Sequence, residues 1–172
     1  MILIYLALSV SIIAMCFDLF TGKIKNYWIL ISYGLGLLWC LSRHGNGGFF
    51  VWMLGGILPI ALLLPLFHFR MIGAGDIKLL SALGGMLGAV KITKCILASF
   101  LLGALISIGV FFICGNFKNR ITYFMSYVKA YIEKGDLYPY TKVGERGGMQ
   151  MEQIHFTVPI FLALLLTLGG FL

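Results

Sequence analysis

The sequence predicts an all-α polytopic membrane protein with about six transmembrane helices, and two observations carry that prediction. First, 60% of the 172 residues are hydrophobic, 11% are charged and the mean hydropathy is +1.00, whereas soluble domains carry about 25% charged residues. Second, the apolar residues lie in long runs. A helix that spans a bilayer needs about 20 mostly apolar residues and satisfies its own backbone groups without water.

The apolar runs divide the chain into six candidate spans. They cover residues 2–20, 27–42, 48–68, 76–90, 93–115 and 154–172, and the second and fourth are short. The first run lacks the basic start and the small-residue cleavage site of a signal peptide, so it is interpreted as a retained helix. No internal repeat or linker divides the chain, which predicts one membrane-embedded domain over residues 1–172.

A long loop, residues 116–153, separates the fifth span from the last one. Its first half is predicted to form an interfacial amphipathic helix. The apolar face of that helix would contain Ile121, Phe124, Met125 and Val128. Several glycines and a proline in the second half predict irregular chain.

Basic residues predict the orientation, because loops rich in Lys and Arg tend to remain cytoplasmic. With an outside N-terminus, ten of the 13 basic residues lie in inner loops, six of them in the 116–153 loop, and three lie outside. The sequence therefore predicts a multi-pass protein of the inner or plasma membrane. Its N-terminus would lie outside and the 116–153 loop would lie in the cytoplasm.

The net charge of +7 does not indicate a nucleic-acid partner, because the basic residues are spread between apolar runs and form no single stripe. That distribution is typical of loops attracted to anionic lipid headgroups. The four cysteines form no C-x-x-C pair, and the three histidines lack metal-ligand spacing. We therefore expect no metal and no cofactor. The run "GGMLG" at Gly84–Gly88 favours helix packing through small residues.

Two acidic residues are attached to apolar segments, Asp18 near the end of the first span and Asp76 at the start of the fourth. A carboxylate in or beside the hydrocarbon costs on the order of 2.5 to 3.5 kcal/mol, so such residues are functional candidates. Under the predicted orientation both lie at the cytoplasmic side, where they can converge. The other acidic residues fall in the long loop: Glu133, Asp136, Glu145 and Glu152.

Carboxylates that converge in this way cannot both ionise comfortably, so they share a proton and titrate as a pair. A shared proton suits aspartic peptide hydrolysis, in which one carboxylate takes a proton from water and the other polarises the scissile carbonyl. Asp18 and Asp76 are therefore the predicted catalytic residues. Gly73 and Gly75 leave room for a substrate strand beside Asp76, and Lys78 is a further candidate for supporting the site.

Three stretches of the sequence carry a family resemblance. They are "GAGDIKLL" at Gly73–Leu80, "FDLFTGKIKN" at Phe17–Asn26 and "IHFTVPIFLALLL" near the C-terminus. The first two resemble the second-aspartate and first-aspartate motifs of the type IV prepilin leader peptidases, which are membrane aspartic peptidases with a G-x-G-D motif. The third is similar to the family's final helix. Lys25 stands where the family usually has the proline of Ile-Pro-Asn.

The resemblance covers nearly the whole chain and implies a six-helix core with a cytoplasm-facing active site. It implies prepilins or pilin-like precursors as substrates, cut after a short basic leader, and hence a role in type IV pilus biogenesis and secretion. Larger members carry an insertion with paired C-x-x-C motifs, associated with methylation of the new N-terminus, which this chain lacks. The chain therefore resembles the small peptidase-only form found with Tad/Flp-type or competence-type pilus systems.

Alternative interpretations of these residues stay open. Paired acidic residues also mark proton paths, so a small proton-coupled transporter is the rival function. Each Asp can also be a helix-end carboxylate that reaches water, and Asp76 can be an N-cap. Lys78 can be a basic anchor at the membrane edge, and His155 can be an interfacial polar cap or a proton relay.

Overall fold

The computed structural model describes residues 2–69, 71–114, 122 and 155–170. These residues form helices and turns and contain no β-strand, which confirms the predicted all-α class for this part of the chain. A short 3-10 turn, Gly45–Gly47, joins the second helix to the third. The helices are α1 Ile2–Thr21, α2 Asn26–His44, α3 Gly48–His68, α4 Ala74–Leu87, α5 Ala89–Cys114 and α6 Thr157–Leu168.

Each helix overlaps the span predicted for it, but α4 and α6 are shorter than predicted. Helix α4 has 14 residues and ends at Leu87, because the next residue, Gly88, has a φ of 81°, outside the helical region. Helix α5 begins directly after it at Ala89, so the predicted boundary between these spans was wrong by a few residues. A hydropathy pattern does not register a backbone reversal at a single glycine. The predicted 116–153 loop lies outside the described residues, apart from Thr122.

Among the residues that the structure describes, three helical stretches are long and apolar enough to cross a membrane: Leu3–Thr21, Asn26–His68 and Ala89–Val110. The second contains both α2 and α3. These two helices form an antiparallel hairpin, since Gly48 lies against Cys40 near the turn. Farther from the turn, the rings of Tyr33 and Trp52 are 6.0 Å apart. Helix α6 is apolar but shorter, and the number of six crossings stays a prediction.

Helix α4 lies at the centre of the bundle. It contacts α1, α2, α3 and α5, and Ile77 and every residue from Leu79 to Leu87 are buried. The surrounding helices instead expose large apolar side chains such as Leu30, Leu54 and Leu101. This pattern suits a bundle in lipid, because lipid tails are as apolar as leucine. The central helix carries Asp76 in its first turn.

Close backbone contact joins α3 to α4 at Gly55 and Gly84. A methyl group on either glycine would overlap the carbonyl oxygen of the other, and Gly85 lies against the Trp52 side chain in the same way. Small residues let helix backbones approach closely in membrane bundles. The packing role predicted for the Gly84–Gly88 run is confirmed at its first two glycines.

A buried hydroxyl, that of Ser81, links α4 to both of its hairpin neighbours. Ser81 donates to the carbonyl oxygen of Gly56 at 2.5 Å and accepts from the Tyr33 hydroxyl at 2.5 Å. The Trp52 indole in turn donates to the Tyr33 carbonyl at 3.2 Å. Because buried polar groups are costly unless they are hydrogen-bonded, these contacts fix the rotation of α4 about its axis.

Candidate active site

Asp18 lies in the last turn of α1, on a face of that helix that is buried. Ala7, Val10 and Ala14 are buried on the same face, because residues three or four apart are neighbours on a helix surface. The Asp18 side chain is 14% exposed. Helix α1 packs against α4 and α6, so the carboxylate lies where three helices meet.

Two side chains at the start of α6 contact one oxygen of Asp18. The Thr157 hydroxyl donates to Asp18 Oδ2 at 2.7 Å, and His155 Nδ1 lies 3.1 Å from the same oxygen. Thr157 is fully buried, and the His155 side chain is 29% exposed. The backbone dipoles at the N-terminus of a helix also favour a negative charge nearby. Asp18 is therefore tied to α6.

Asp76 is the third residue of α4, and its carboxylate accepts a hydrogen bond from the backbone N–H of Gly73. Gly73 is the N-cap of the helix. An acidic side chain three residues beyond the N-cap commonly bonds back to the N-cap amide in this way. The alternative that Asp76 is itself the N-cap is therefore wrong, although Asp76 does stabilise the start of α4.

The two carboxylates lie close enough to act on each other. Asp76 interacts electrostatically with both Asp18 and His155, and both Asp side chains are partly buried. The end of α1 and the starts of α4 and α6 thus meet at one site. The structure brings together the two carboxylates that the sequence singled out, and it adds a histidine and a threonine to them.

This pair of carboxylates lies within a segment that matches a known family. The sequence model of the type IV leader peptidase family matches residues 5–108, which is more than half of the chain. The chain belongs to the type IV leader peptidase family. It is therefore a peptidase, and its apolar helices together with the family indicate an integral membrane protein. No curated protein and no solved structure matches the chain.

The two motif glycines of this leader peptidase family member have different surroundings. A Cβ atom at Gly73 would lie 3.1 Å from Asp76 Oδ2, so a side chain there would press on the carboxylate. A Cβ atom at Gly75 would lie 3.5 Å from Ile24, which is an ordinary van der Waals distance. Gly73 has φ −75° and ψ 144°, a conformation open to any residue. The space beside Asp76, and not backbone freedom, is therefore what favours glycine at position 73.

Lys78 is exposed, and its ammonium group donates to Asn26 Oδ1 at 3.1 Å. Asn26 is the first residue of α2, so this contact joins α4 to α2. Among the described residues, the basic side chain in contact with Asp18 is that of His155, and the two would form an ion pair only with the imidazole protonated. The structure thus gives Lys78 a contact between helices and no contact with either carboxylate.

Lys25, which departs from the family's usual proline, keeps a backbone that proline would adopt. Its φ is −71° and its ψ is 130°, and proline fixes φ near −65°. The Lys25 carbonyl accepts the backbone N–H of Trp28 at 3.1 Å and starts α2. The Lys25 ammonium lies over the Phe17 ring, 5.3 Å from its centroid. The turn after Asp18 is therefore formed without proline.

His155 and Thr157 were not predicted as members of the site. The sequence interpretation favoured an interfacial polar cap for His155 and assigned no role to Thr157. Both lie beyond residue 108, where the family match ends. The sequence signal that could have found them is their position. His155 and Thr157 flank the start of the last helix, on the side of the membrane that was predicted for both carboxylates.

Within residues 2–69, 71–114 and 155–170, no cluster of three or more His, Cys, Asp or Glu side chains could hold a metal ion. Cys40 and Cys95 are buried and unpaired, and the Cys40 thiol donates to the Gly85 carbonyl at 3.3 Å. Burial and a hydrogen bond to a helix carbonyl are typical of cysteines that pack between helices.

Proposed function

We propose that the chain is an intramembrane aspartic endopeptidase that removes the short basic leader from type IV prepilins or pilin-like precursors. The observation that carries the proposal is the meeting of Asp18 and Asp76, from two different helices, at one partly buried site. Membership of the family supplies the reaction class, which is cleavage of a peptide bond. Asp18 and Asp76 are the proposed catalytic residues.

The reaction begins with one carboxylate ionised and the other protonated, because two close carboxylates share a proton. The ionised carboxylate takes a proton from water, and the hydroxide that remains bonds to the carbonyl carbon of the scissile peptide. The protonated carboxyl gives its proton to the carbonyl oxygen. A neutral tetrahedral diol results, and the two carboxyl groups have exchanged their protonation states.

Collapse of the diol restores the starting state. The carboxyl that took the proton from water gives it to the amide nitrogen, and the C–N bond breaks. One diol hydroxyl returns its proton to the other carboxylate. The products are a carboxylic acid and an amine, so two carboxyl groups and one water account for every proton in the reaction.

The surroundings of the pair support a reaction on an extended peptide. Partial burial of the pair strengthens the hydrogen bond from the protonated carboxyl to the carbonyl oxygen as negative charge develops there, since fewer waters screen it. Gly73 and Gly75 keep the backbone beside Asp76 free of side chains, which lets a peptide backbone approach. Lys78 would support the motif from outside, through its contact with Asn26.

The proposed substrate and location follow from the charge pattern and the family. With the N-terminus outside, the end of α1 and the start of α4 face the cytoplasm, where a basic leader stays before its hydrophobic helix crosses the membrane. The protein would act within the inner or plasma membrane, as one domain in contact with lipid and with no nucleic-acid partner. Its product would enter pilus assembly or a related secretion system.

The rival function, a small proton-coupled transporter, has less support. A proton path needs ionisable or polar groups through the membrane. Beneath Asp18, the buried face of α1 consists of Ala7, Val10, Ser11 and Ala14. Along α1, one hydroxyl among three apolar side chains does not make such a path, and the buried Ser81 hydroxyl of α4 is bonded to Tyr33 and the Gly56 carbonyl.

The test incubates the detergent-solubilised protein with a pilin precursor encoded beside it and follows loss of the leader by mass spectrometry. We expect cleavage by the wild type and none by Asp18→Asn or Asp76→Asn. Full cleavage by either variant would refute the catalytic pair. A wild type that cleaves no pilin-like precursor but gives a proton-linked flux in liposomes would establish the transporter instead.

A further inference from the structure

The hydrogen bonds of the two carboxylates are unequal. Asp18 Oδ2 accepts from the Thr157 hydroxyl at 2.7 Å and lies 3.1 Å from His155 Nδ1. Asp76 is bonded by one backbone N–H, that of Gly73. Among the residues that the structure describes, no side chain or backbone group bonds to Asp18 Oδ1. One oxygen of Asp18 is therefore held by two side chains, and the other has no partner among the described residues.

The two residues that hold Asp18 are themselves firmly placed. Thr157 is fully buried, as is Ile160 one turn later. Phe156, between the two polar residues, lies against Phe100 of α5 with ring centroids 5.2 Å apart. Rotation of the Asp18 carboxylate would break both contacts to Oδ2. A catalytic group held in this way by packed neighbours is pre-organised for its reaction.

We propose, on the basis of the function proposed above, that His155 and Thr157 are positioning residues that assign different roles to the two carboxylates. They occupy Asp18 Oδ2 with two donors, the Thr157 hydroxyl and the N–H at His155 Nδ1. Asp18 Oδ1 then takes the proton from the attacking water. Asp76 starts the reaction protonated and gives its proton to the carbonyl oxygen.

That assignment of roles also determines the proton transfers in the second half of the reaction. The proton that Oδ1 took from water passes to the leaving nitrogen as the C–N bond breaks. Asp76 recovers a proton from the diol. His155 and Thr157 keep their own protons throughout, because their part is to hold the carboxylate and not to exchange protons with the substrate.

The test measures kcat and KM for cleavage of a pilin precursor by variants of the full chain. We expect His155→Ala and Thr157→Val to lower kcat on the order of 10- to 100-fold, as losses of supporting contacts do at other active sites, with little change in KM. Thr157→Ser keeps the hydroxyl and should retain most of the activity. His155→Asn should also recover activity, since its amide nitrogen takes the place of Nδ1. His155→Gln places its amide nearer the position of Nε2 and should not recover activity.

Two variants away from the site serve as matched controls. His44→Asn changes an exposed histidine at the end of α2, and Thr93→Val removes a hydroxyl that bonds only within its own helix, to the Ala89 carbonyl at 2.8 Å. Both should keep wild-type kcat. Thermal unfolding in detergent identifies any variant that has lost its fold, and the comparison of His155→Asn with His155→Gln then decides the matter.

Several results would overturn the inference while leaving the proposed function intact. Folded His155→Ala and Thr157→Val proteins with wild-type kcat would show that Asp18 needs no positioning. Equal recovery of kcat by His155→Asn and His155→Gln would show that a donor at the position of Nδ1 is not required. A change in KM alone would show that His155 acts on substrate binding and not on the position of Asp18. If the wild type itself cleaves no precursor, the proposed function fails and the assignment of roles fails with it.

Discussion

Substitution of Gly73 by alanine tests how much room Asp76 needs. The new Cβ would lie 3.1 Å from Asp76 Oδ2 and 3.9 Å from its Cγ, so the carboxylate must move by a few tenths of an ångström. A displacement of about 1 Å costs roughly 100-fold in rate at a positioned catalytic group. We therefore expect kcat to fall on the order of tenfold. The backbone at position 73 accepts alanine, so the variant should fold.

Gly75→Ala is the matched control in the same motif. Its Cβ would meet Ile24 at 3.5 Å without overlap, and alanine in a helix is favoured over glycine by up to about 1 kcal/mol. The free energy of unfolding should rise slightly. If the added methyl group hinders the approach of the substrate, the effect should be seen in KM and not in kcat. Steady-state kinetics on a pilin precursor and thermal unfolding in detergent measure both effects. A folded Gly73→Ala protein with wild-type kcat would show that Asp76 does not need the space that Gly73 leaves.

Three further substitutions test the surrounding structure. Lys25→Pro should leave activity unchanged and stability within about 1 kcal/mol, because proline fits the backbone of Lys25; loss of the fold would contradict this. Gly84→Ala should destabilise the protein to chemical or thermal unfolding by about 1 to 3 kcal/mol through overpacking, whereas Gly34→Ala, which has open space around it, should not. Lys78→Met removes an exposed contact with Asn26 and should cost less than about 1 kcal/mol; a large fall in kcat would instead make Lys78 a cation of the site.

The helices could be predicted because each one has a local cause. Apolar runs of sufficient length fold as helices in a bilayer whatever their neighbours are, and among the described residues each of the helices α1 to α6 overlaps its predicted span. Asp18 and Asp76 could be singled out as candidates from the sequence, since a carboxylate attached to an apolar segment is unusual whatever its partners are; their catalytic role stays a prediction. Their pairing required the added assumption that both lie at the same side of the membrane.

The contacts between distant parts of the chain could not be predicted in this way. Thr157 and Asp18 are separated by 139 positions, and hydropathy carries no information on which helix packs against which. The burial of α4 on all sides and the fit of Gly55 against Gly84 likewise depend on the arrangement of the helices. Lys25 shows the converse case: it departs from the proline that the resemblance leads us to expect, yet its φ of −71° is one that proline would also adopt.

Asp18 and Asp76 are proposed to act as one catalytic unit on a pilin precursor. The most direct measurement is kcat for Asp18→Asn, Asp76→Asn and the double variant, each checked for folding in detergent. We expect each single variant to lose activity on the order of 10⁴-fold, and the double variant to lose little more, because residues that act as a unit are not additive. Cleavage near the wild-type rate in either folded single variant would contradict the account.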